Sequence, residues 1–372
     1  MSSYELVNKF RYGLIGCGRI APNHLAAALA NQENLEIVAL CDIIPSQMDS
    51  LLETVPDIGR TNISKFVDYR EMLVEANLDL VAIATESGKH AAIAIDCINA
   101  GCHVIIEKPI ALSMSDADNI ILAAKSHGVV VSACHQNRFN KSIQKIREAL
   151  DAGQFGKLLH GTAHIRWNRS ESYYRQALWR GTWEEDGGAL MNQCIHNIDL
   201  LRWMMGDDIV EVFAYTDNLM HPYIDAEDFG ICLIKFKNGA YGLIEGTTNI
   251  YPRNLEETLY LFGEKGTVKA GGKSVNIIEE WMFADESEDP ELVKAKYQET
   301  PPNVYGFGHT PLYQDVIEAM REGRKPYVSA EDGKRAVELV LAIYESARRG
   351  VPIQFPLVKG DSMDNVGRFF DE

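Results

Sequence analysis

The sequence predicts an α/β domain with a doubly wound parallel sheet, followed by an α+β domain with a mostly antiparallel open sheet. Three observations lead to this fold class. Apolar runs alternate with amphipathic segments in the first third of the chain, a glycine-rich turn follows the first run, and strand-like runs joined by short turns dominate the later part. The pattern changes after about residue 135, so we divide the 372 residues into domains at 1–135 and 136–372.

The predicted strands of the first domain are apolar runs of the length that a strand buried on both faces requires. They read RYGLIG, LEIVALCD, LDLVAIAT, CHVIIE and VVVSACH. Helical patterns fall between them, near residues 21–31, 45–53, 68–76, 88–100 and 115–127. Since strands that alternate with helices form right-handed βαβ units, this sheet is predicted to be parallel.

The second domain begins with a helical pattern near 138–152 and the strand-like run KLLHGTAHIRWN. A loop rich in Trp, Tyr and Arg comes next, and then one long helix is predicted over about 189–205. Runs such as FGICLIKF and TLYLFG follow, with the turn signals KNG and GEKG, which favour antiparallel pairing. Helical patterns near 310–322 and 330–349 end the fold.

Composition limits the classes of partner. The formal charge of −17 argues against nucleic acid or an anionic membrane. The sequence has no apolar run long enough to span a membrane, and its first residues lack the apolar segment of a secretion signal. Seven cysteines are scattered without a C-x-x-C pair, which predicts reduced thiols in a cytoplasmic protein. No metal site is predicted.

The turn after the first strand has the pattern G-x-G-x-x-A, from Gly16 to Ala21. Gly16 permits a tight turn, and Gly18 lets the main chain approach a pyrophosphate at the amino terminus of the next helix. Asp42 ends the second strand, where a carboxylate can hold the ribose hydroxyls of adenosine. No arginine follows it to receive a 2′-phosphate, so this Rossmann-type site is predicted to bind NAD. A bare structural turn is the alternative.

Two further strand ends carry polar residues at the edge where open α/β sheets bind ligands. Thr85, Glu86 and Ser87 follow LDLVAIA, and Lys108 follows CHVIIE, with Pro109 restricting the chain behind it. The first group has a second interpretation, because threonine and serine also cap helices. Lys108 is predicted to lie near the nicotinamide half of the cofactor.

The segment DGGALMNQCIHNIDLLRWMMGD carries a polar stripe on an otherwise apolar helix. Asn192, His196 and Asp199 fall at positions i, i+4 and i+7, which lie on one helix face. A core histidine with hydrogen-bonded neighbours would produce the same pattern. The glycine pair before the helix and the aromatic, arginine-rich loop ahead of it favour a cavity wall. Metal binding is less favoured, since the sequence lacks an H-E-x-x-H motif.

Oxidation of a secondary alcohol by NAD needs few protein groups. A base takes the hydroxyl proton as hydride leaves the carbon, and a donor steadies the oxygen. Lys108 and His196 are the candidates for these roles. A lysine in a partly desolvated site beside an oxidised nicotinamide releases its proton more readily, which suits it to this chemistry.

The motifs together resemble the Gfo/Idh/MocA family of oxidoreductases. G-x-G-x-x-A, ATES before KH, EKP and GGALMNQCIHNIDLL occur in the family's order over essentially the whole chain. The resemblance implies a Rossmann domain followed by an α/β domain for substrate binding and oligomerisation, whose open sheet often builds dimers and tetramers. It also implies catalytic roles for Lys108 and His196. Many members have an aspartate four residues before that histidine, where this chain has Asn192.

More narrowly, HQNRFN, LWRGTWEEDGGALMNQCIH and LFGEKGTV resemble the branch that oxidises the 3-hydroxyl of UDP-N-acetylglucosaminuronic acid, and Asn192 fits that branch. The resemblance places Asn137 and Arg138 near the nicotinamide and the substrate, with the Trp179-Arg180 loop over the same crevice. A group of arginines in this otherwise acidic chain can meet a carboxylate or a diphosphate. They are Arg138, Arg166, Arg169, Arg175 and Arg180. A surface loop or a subunit interface is the alternative for this segment.

The expected site residues form three sets. The expected catalytic residues are Lys108, His196 and Asn192. The expected cofactor contacts are Gly16, Gly18, Arg19, Ile20, Asp42, Thr85, Ser87, His90, Glu107, Lys108, Asn137 and Trp179. The expected substrate contacts are Lys108, Asn137, Arg138, Arg180, Asn192 and His196.

The leading prediction is a homo-oligomeric NAD-dependent sugar dehydrogenase, a dimer or tetramer, that acts on a ring secondary hydroxyl of a nucleotide-linked uronic acid. Two alternatives stay open. One is a dehydrogenase of inositol, a free sugar or a glycoside, and the other is a nucleotide-binding regulator without turnover. Convergent arginines would favour an acidic substrate, whereas the presence of both Lys108 and His196 disfavours the regulator.

Overall fold

The chain folds into two compact units in a computed structural model, which describes residues 9–55, 62–301 and 303–369. The first unit comprises Met1–Ile110, Ala117–Cys134 and His309–Glu331, and the second comprises Ala111–Asp116, His135–Gly308 and Asp332–Glu372. The junction between Cys134 and His135 lies one residue before the division predicted after residue 135. Neither unit is one continuous stretch, however, which differs from the predicted contiguous domains.

The regular elements are numbered in chain order. The strands are β1 (Phe10–Ile15), β2 (Leu35–Cys41), β3 (Ser64–Phe66), β4 (Leu80–Ile83), β5 (His103–Ile106), β6 (Val131–Ala133), β7 (Leu158–Arg166), β8 (Ile209–Asp217), β9 (Phe229–Phe236), β10 (Tyr241–Thr247), β11 (Glu256–Gly263), β12 (Gly266–Gly271), β13 (Ile277–Phe283) and β14 (Ile353–Gln354). The helices are α1 (Ala21–Ala30), α2 (Pro45–Thr54), α3 (Tyr69–Glu75), α4 (His90–Asn99), α5 (Met114–His127), α6 (Lys141–Asp151), α7 (Glu171–Tyr174), α8 (Ala189–Asn192), α9 (Ile195–Met205), α10 (Pro290–Tyr297), α11 (His309–Glu322) and α12 (Ala330–Arg349).

The first unit contains a six-stranded sheet in the order β3-β2-β1-β4-β5-β6. All of its neighbouring strands are parallel, so the predicted doubly wound parallel sheet is confirmed. Every residue of β4 is buried, as expected for an apolar strand covered on both faces. The short strand β3 is not predicted by the sequence, because its exposed Ser64 and Lys65 leave no apolar run to mark it.

Helix α11 belongs to the first unit although it follows most of the second unit in the chain. Its buried residues Leu312, Tyr313, Val316 and Ile317 recur with the helical period, and α11 packs against α1. The periodicity predicts a buried helix face but does not name the element that covers it. A contiguous domain boundary therefore cannot be read from the pattern alone.

The second unit contains an eight-stranded sheet in the order β13-β12-β11-β7-β10-β9-β8-β14. Strands β7 and β10 run parallel, and the other neighbours run antiparallel, so the predicted mostly antiparallel sheet is confirmed. Buried and more exposed residues alternate along β9, which shows that one face of the sheet is covered and the other is open. In the parts of the chain that the structure describes, no helix has both the length and the apolar surface that crossing a membrane requires.

The single helix predicted over 189–205 is wrong, because the structure has two helices there. Helix α8 ends at Asn192 and α9 begins at Ile195. Between them, the Cys194 N–H donates to the Ala189 carbonyl five residues back, and the Gln193 side chain bonds to other segments. Asn192 and His196 therefore do not share one continuous helix face, and the predicted i, i+4 relation does not apply.

Candidate active site

The predicted nucleotide-binding residues of the first unit lie at the carboxyl ends of its strands. Gly16 follows β1, Asp42 follows β2, Thr85 comes shortly after β4, and Glu107 and Lys108 follow β5. Because these strands are parallel, their ends share one edge of the sheet, where open α/β sheets bind ligands. The structure therefore brings these residues to one edge.

The glycine turn has the geometry that a pyrophosphate-binding loop needs. Gly16 has a φ of 90°, and a Cβ atom there would lie 2.5 Å from the Ala84 carbonyl oxygen, so only glycine fits. Gly18 and Arg19 are exposed, Ile20 is half-buried, and a Cβ atom on Gly18 would meet no other atom within 4 Å. The main chain can thus approach a phosphate group at the amino terminus of α1, which fits NAD.

Asp42 joins the glycine turn to the segment after β2. Its Oδ2 accepts the Cys17 N–H at 2.8 Å, and its Oδ1 accepts the Ile44 N–H at 2.8 Å. The residue is half-buried, and each carboxylate oxygen has a second lone pair. Asp42 can therefore accept from ribose hydroxyls while it holds the turn.

Helix capping, the alternative role for Thr85 and Ser87, is not what the structure shows. The turn Ser87–Lys89 and helix α4 both begin without a side-chain cap. His90, an expected cofactor contact, is buried between two carbonyl oxygens, 2.7 Å from that of Pro109 and 3.2 Å from that of Thr85. Burial lowers the pKa of His90, so its ring is neutral, and the shorter distance assigns its N–H to the Pro109 carbonyl. The His90 side chain therefore holds the main chain of Pro109 in place.

Lys108 is half-buried at the exit of β5, and its peptide bond to Pro109 is cis. Its main-chain N–H donates to Glu107 Oε2 at 3.2 Å. The Glu107 N–H in turn donates to the Ile83 carbonyl of β4 at 2.9 Å. The main chain that presents Lys108 is therefore tied to the neighbouring strand.

The Glu107 side chain, another expected cofactor contact, is 6% exposed and finds its partners inside the first unit. Its Oε1 accepts from His24 Nε2 at 3.0 Å, and His309 Nε2 lies 3.6 Å away. Burial by itself raises the pKa of Glu107, but the hydrogen bond from His24 and the nearby His309 ring outweigh it and lower the pKa well below its usual value. Glu107 is therefore ionised, and both of its oxygens have partners within the fold.

His24, Glu107, Cys134 and His309 also form a donor set of the kind that binds a transition metal. All four residues are buried, and their ligand atoms lie within 4.8 Å of one another. Two imidazoles, a thiol and a carboxylate suit zinc. The 3.0 Å distance between His24 Nε2 and Glu107 Oε1 is nevertheless that of a hydrogen bond, so these two side chains satisfy each other as they stand.

Arg138 is predicted to contact the substrate, but the structure places its guanidinium in a buried ion pair. Nε and Nη2 donate to the two Asp199 oxygens at 2.8 and 2.6 Å, and Nη1 lies 3.4 Å from Asp332 Oδ1. The guanidinium stacks 4.9 Å above the Trp203 ring. Burial alone lowers the pKa of Arg138, and the two carboxylates raise it above its usual value. Arg138 thus neutralises the buried Asp199 and the half-buried Asp332, and we do not propose it as a substrate contact.

His196 lies in the first turn of α9 and is half-buried. Its ring packs edge-on against the His135 ring, with 5.7 Å between the centroids. His135 Nδ1 lies 4.0 Å from Asp199 Oδ2. The second unit therefore places a second imidazole and a carboxylate behind the predicted catalytic histidine. The sequence analysis did not single out His135, although the motif HQNRFN contains it.

Asn192 is anchored at the end of α8 by two side chains. Its Nδ2 donates to Asp186, and its Oδ1 accepts from Gln193 Nε2 at 3.2 Å. Gln193 also donates to the Tyr173 hydroxyl at 2.9 Å and accepts from Arg169 Nε and Nη2 at 3.0 and 2.8 Å. The amide of Asn192 is thus held in one orientation, which suits a residue that positions a substrate.

Two arginines flank the Tyr173 ring. Arg180 donates to the Tyr173 hydroxyl at 2.6 Å, and its guanidinium lies 4.4 Å above that ring and 4.5 Å above the half-buried Trp179 ring. Arg169 lies 5.0 Å from the Tyr173 ring and 4.7 Å from the Trp167 ring. Aromatic stacking holds both guanidinium groups in place, so they can bind an anion with little loss of side-chain freedom.

Asn137 is buried in the turn Gln136–Phe139, where its Nδ2 donates to Glu257 Oε1 at 3.4 Å. Within the described residues, Asn137 Oδ1 and Glu257 Oε2 have no hydrogen-bond partner. Burial raises the pKa of Glu257 to about 8, although the charge of Arg169 opposes this shift. Glu257 therefore carries its proton at neutral pH.

The glycine pair ahead of α8 is required by a second buried carboxyl group. Gly188 has a φ of 95°, and a Cβ atom there would lie 1.9 Å from Glu227 Oε2. Glu227 Oε1 accepts the Leu190 N–H at 2.7 Å and the Tyr344 hydroxyl at 2.8 Å. Burial raises the pKa of Glu227 to about 8. Glu227 thus fixes the turn from which α8 begins.

Each unit gathers its own share of the predicted residues. The first unit holds Lys108 and the other expected cofactor contacts except Asn137 and Trp179, which lie in the second unit. The second unit also holds His196 and the polar cluster formed by Arg169, Tyr173, Arg180, Asn192 and Gln193. Tyr173, Asp186 and Glu257 were not predicted from the sequence, because their partners are distant in the chain or lie in loops without periodicity. Gln193 was also missed, although it stands inside MNQCIH.

Both parts of the chain match known protein families. Residues 10–135 match an oxidoreductase family with an NAD-binding Rossmann fold, and residues 143–269 match the GFO/IDH/MocA C-terminal domain.

The chain is also similar to individual proteins over nearly its whole length. The WlbA dehydrogenase from Bordetella pertussis, solved in complex with NADH and UDP-GlcNAcA, is 37% identical, with a TM-score of 0.85 over 94% of this chain and 98% of that chain. The WlbA dehydrogenase from Chromobacterium violaceum, solved with the same two ligands, is 36% identical, with a TM-score of 0.84 over 94% of this chain and 96% of that chain. The myo-inositol 2-dehydrogenase of Thermotoga maritima is 27% identical over 90% of this chain and 96% of its own length.

Proposed function

Because the chain belongs to the Gfo/Idh/MocA family of oxidoreductases, we propose that it oxidises the 3-hydroxyl of a UDP-N-acetylhexosaminuronic acid to a ketone, with NAD as the oxidant. The predicted family, enzyme class and NAD cofactor are confirmed. The observation that carries the substrate is the similarity to two WlbA dehydrogenases whose structures hold NADH and UDP-GlcNAcA.

The protein's part in the reaction is to hold the nucleotide and to move one proton. Bound NAD supplies the hydride acceptor. The glycine turn and Asp42 hold the nucleotide, with its pyrophosphate at the amino terminus of α1. We assign removal of the hydroxyl proton to Lys108 and His196, and the protonated group then steadies the ketone oxygen.

The substrate's negative groups are assigned to the arginine cluster of the second unit. A UDP-linked uronic acid carries a diphosphate and a carboxylate, and guanidinium groups bind both in a bidentate manner. Arg169 and Arg180 are held by aromatic rings and polar side chains, whereas Arg138 is occupied by Asp199. Asn192 is assigned to a substrate hydroxyl, since Asp186 fixes its amide.

The test is NADH absorbance with purified protein, NAD and four compounds: UDP-N-acetylglucosaminuronic acid, UDP-N-acetylglucosamine, myo-inositol and glucose. Turnover of the uronic acid alone is expected, and the contrast with UDP-N-acetylglucosamine isolates the carboxylate. Oxidation of inositol or glucose instead would keep the dehydrogenase and discard the proposed substrate. A repeat with enzyme and substrate at equal concentration detects a single turnover when NADH leaves slowly.

The catalytic roles are tested by replacing the two proton-handling residues. Lys108→Ala should largely abolish turnover, and His196→Ala should lower kcat by roughly 10²–10⁴-fold, as expected for loss of a general base. NADH affinity should stay near the wild-type value in both variants. A near-normal kcat in His196→Ala would make that histidine structural, and loss of NADH binding in Lys108→Ala would do the same for the lysine.

A dehydrogenase of inositol or a free sugar is the second candidate, and the similarity to the Thermotoga maritima myo-inositol 2-dehydrogenase favours it. In that case Arg169 and Arg180 would have no anion to bind, and they would serve only to hold Tyr173 and Gln193. The third candidate, a regulator without turnover, requires that no compound of the panel yields NADH.

The open face of the second sheet supports the predicted homo-oligomer. Tyr215, Leu233 and Tyr241 lie on this face, and they are 63%, 56% and 58% exposed. They are diagonal neighbours, because Leu233 pairs with Phe213 of β8 and Leu243 of β10, each two residues from the tyrosine on the same strand. Exposed apolar residues that adjoin one another mark an interaction surface. Light scattering of the purified protein gives the number of chains directly, and a monomer would contradict this assignment.

A further inference from the structure

The main chain at Lys108 is held by side chains that the proposed reaction does not use. The Lys108 N–H donates to Glu107 Oε2 at 3.2 Å, and the Pro109 carbonyl accepts from His90 Nδ1 at 2.7 Å. Glu107 and His90 are 6% and 1% exposed, so neither side chain is open to solvent. The two contacts bracket the peptide unit that carries the lysine.

Glu107 is itself the end of a buried hydrogen-bond chain. The hydroxyls of Tyr12 and Tyr313 are 2.8 Å apart, Tyr313 is 2.8 Å from His24 Nδ1, and His24 Nε2 is 3.0 Å from Glu107 Oε1. Burial raises the pKa of both tyrosines, so both keep their protons. The four side chains therefore form one continuous hydrogen-bond chain from Tyr12 through Tyr313 and His24 to Glu107.

The alternative occupant of this cluster is a metal ion on His24, Glu107, Cys134 and His309. A tetrahedral ion would have to take His24 Nε2 and Glu107 Oε1 out of the hydrogen bond that they share at 3.0 Å. The Lys108 N–H and the His24 ring already give the carboxylate two donors. The hydrogen-bonded arrangement is therefore the one that the observed distances favour.

We propose that Glu107 is a positioning residue for Lys108, and that the chain from Tyr12 to Glu107 holds the lysine's main chain in place for proton transfer. This inference rests on the proposed function, in which Lys108 handles the substrate proton. A shift of about 1 Å in a catalytic group costs roughly 10²-fold in rate, which sets the size of the expected effect. Cofactor binding should be spared, because the Glu107 carboxylate bonds within the protein.

The first test compares two replacements of Glu107 with a matched control. Glu107→Leu removes the acceptor of the Lys108 N–H, and Glu107→Gln keeps an oxygen there without the charge. We expect kcat to fall about 10²-fold in Glu107→Leu and about tenfold or less in Glu107→Gln, with KM for NAD and the NADH dissociation constant within about twofold of wild type. Asp79→Asn is the control, because Asp79 accepts the Arg11 N–H at 2.7 Å at the opposite edge of the same parallel sheet. It should leave kcat unchanged.

A second variant and a second measurement test the positioning role if Glu107→Leu folds poorly. Tyr313→Phe removes one hydroxyl from the hydrogen-bond chain. It should lower kcat about fivefold, which corresponds to the loss of a single hydrogen bond. Hydrogen–deuterium exchange of overlapping peptides that begin before residue 106 and end at 107 and 108 then resolves the Lys108 amide without any substrate. Faster exchange is expected in Glu107→Leu and, to a smaller degree, in Tyr313→Phe, with the wild-type rate in Asp79→Asn.

The outcomes separate this inference from the proposed function. Turnover is measured with whichever compound of the panel the wild type oxidises, so a wrong sugar leaves the ratio of variant to wild type meaningful. Wild-type kcat or wild-type amide exchange in both Glu107→Leu and Tyr313→Phe would overturn the positioning role. One equivalent of zinc in the purified enzyme by mass spectrometry, lost in Glu107→Leu, would also overturn it by making the carboxylate a metal ligand.

Discussion

Glu107 in the first unit and Glu257 in the second are both buried, yet their pKa values move in opposite directions. Burial raises the pKa of Glu257 to about 8, and its hydrogen-bond partner is an Asn137 amide at 3.4 Å. Burial acts on Glu107 in the same sense, but the hydrogen bond from His24 and the nearby His309 ring lower its pKa well below the usual value. The partners of a buried carboxyl group, and not the depth of its burial, therefore decide its charge.

The neighbouring residues Glu227 and Asp228 repeat this contrast within one unit. Both are fully buried, and burial raises the pKa of Glu227 to about 8 although its Oε1 accepts from Leu190 and Tyr344. Burial opposes ionisation of Asp228 as well, but its pKa is lowered, because His221 and several N–H groups donate to it. The contrast therefore follows the number of donors, and it does not depend on the unit.

The largest effect is expected where a charged partner is removed from a buried pair. Arg138→Gln should lower the free energy of unfolding by about 3–5 kcal/mol at pH 7, because Asp199 and Asp332 lose their guanidinium. Arg175→Gln is the control, since its pair with Glu171 is exposed, and it should change stability by less than about 0.5 kcal/mol. Urea denaturation measures both free energies of unfolding. Equal losses in the two variants would contradict the stronger contribution assigned to the buried pair.

Glu107→Gln tests how much the ionised carboxylate of Glu107 stabilises the first unit, and how this stabilisation depends on pH. We expect a loss of about 2–3 kcal/mol at pH 7, because the charge-assisted bonds from its neighbours are weakened. Since the pKa of Glu107 is lowered on folding, its stabilisation is present above the unfolded value of about 4.5 and disappears as the pH falls through the folded value. The gap between wild type and variant should therefore be constant from pH 6 to 8 and shrink below about pH 4.5. A gap that grows in acid would contradict the assigned charge.

For Glu257→Gln, the difference in stability between wild type and variant should change with pH in the opposite direction. Because the pKa of Glu257 is raised to about 8, the wild type is relatively most stable below the unfolded value of about 4.5 and loses stability as the pH rises towards 8. The variant should be more stable than wild type by more than about 1 kcal/mol at pH 9 and nearly equal to it at pH 4.5. Thermal unfolding across this pH range checks the sign, and a destabilised variant at pH 9 would mean that Glu257 is ionised and paired.

Replacement of Asp42 should have the smallest effect of the four substitutions, because Asp42 is half-buried and its protein donors are main-chain N–H groups. Asp42→Ala should reduce discrimination against NADP by about tenfold, since the carboxylate no longer repels a 2′-phosphate. NAD affinity should fall as well, because the Cys17 and Ile44 N–H groups lose their acceptor. Steady-state kinetics with both nucleotides measures the ratio, and unchanged selectivity would remove Asp42 from cofactor choice.

Much of the fold could be predicted because local pattern and burial agree. The runs that become β1, β2, β4, β5 and β6 are apolar, and a strand covered on both faces must be apolar. Gly16 was predictable for a related reason, since only glycine tolerates its φ and its approach to Ala84. The break between α8 and α9 was not predictable. The Gln193 side chain forms hydrogen bonds with Tyr173 and Arg169, and helix periodicity carries no information about these contacts.

The candidate site divides in the same way. The parallel sheet, the glycine turn, Asp42 and the position of Lys108 at a strand end were all predictable, because each follows from residues adjacent in the chain. The pairing of Arg138 with Asp199, 61 residues away, and the contacts of Glu107 with His24 and His309 became visible in the folded chain. A side chain's charge and availability depend on the donors packed around it, and packing brings those donors from distant parts of the chain.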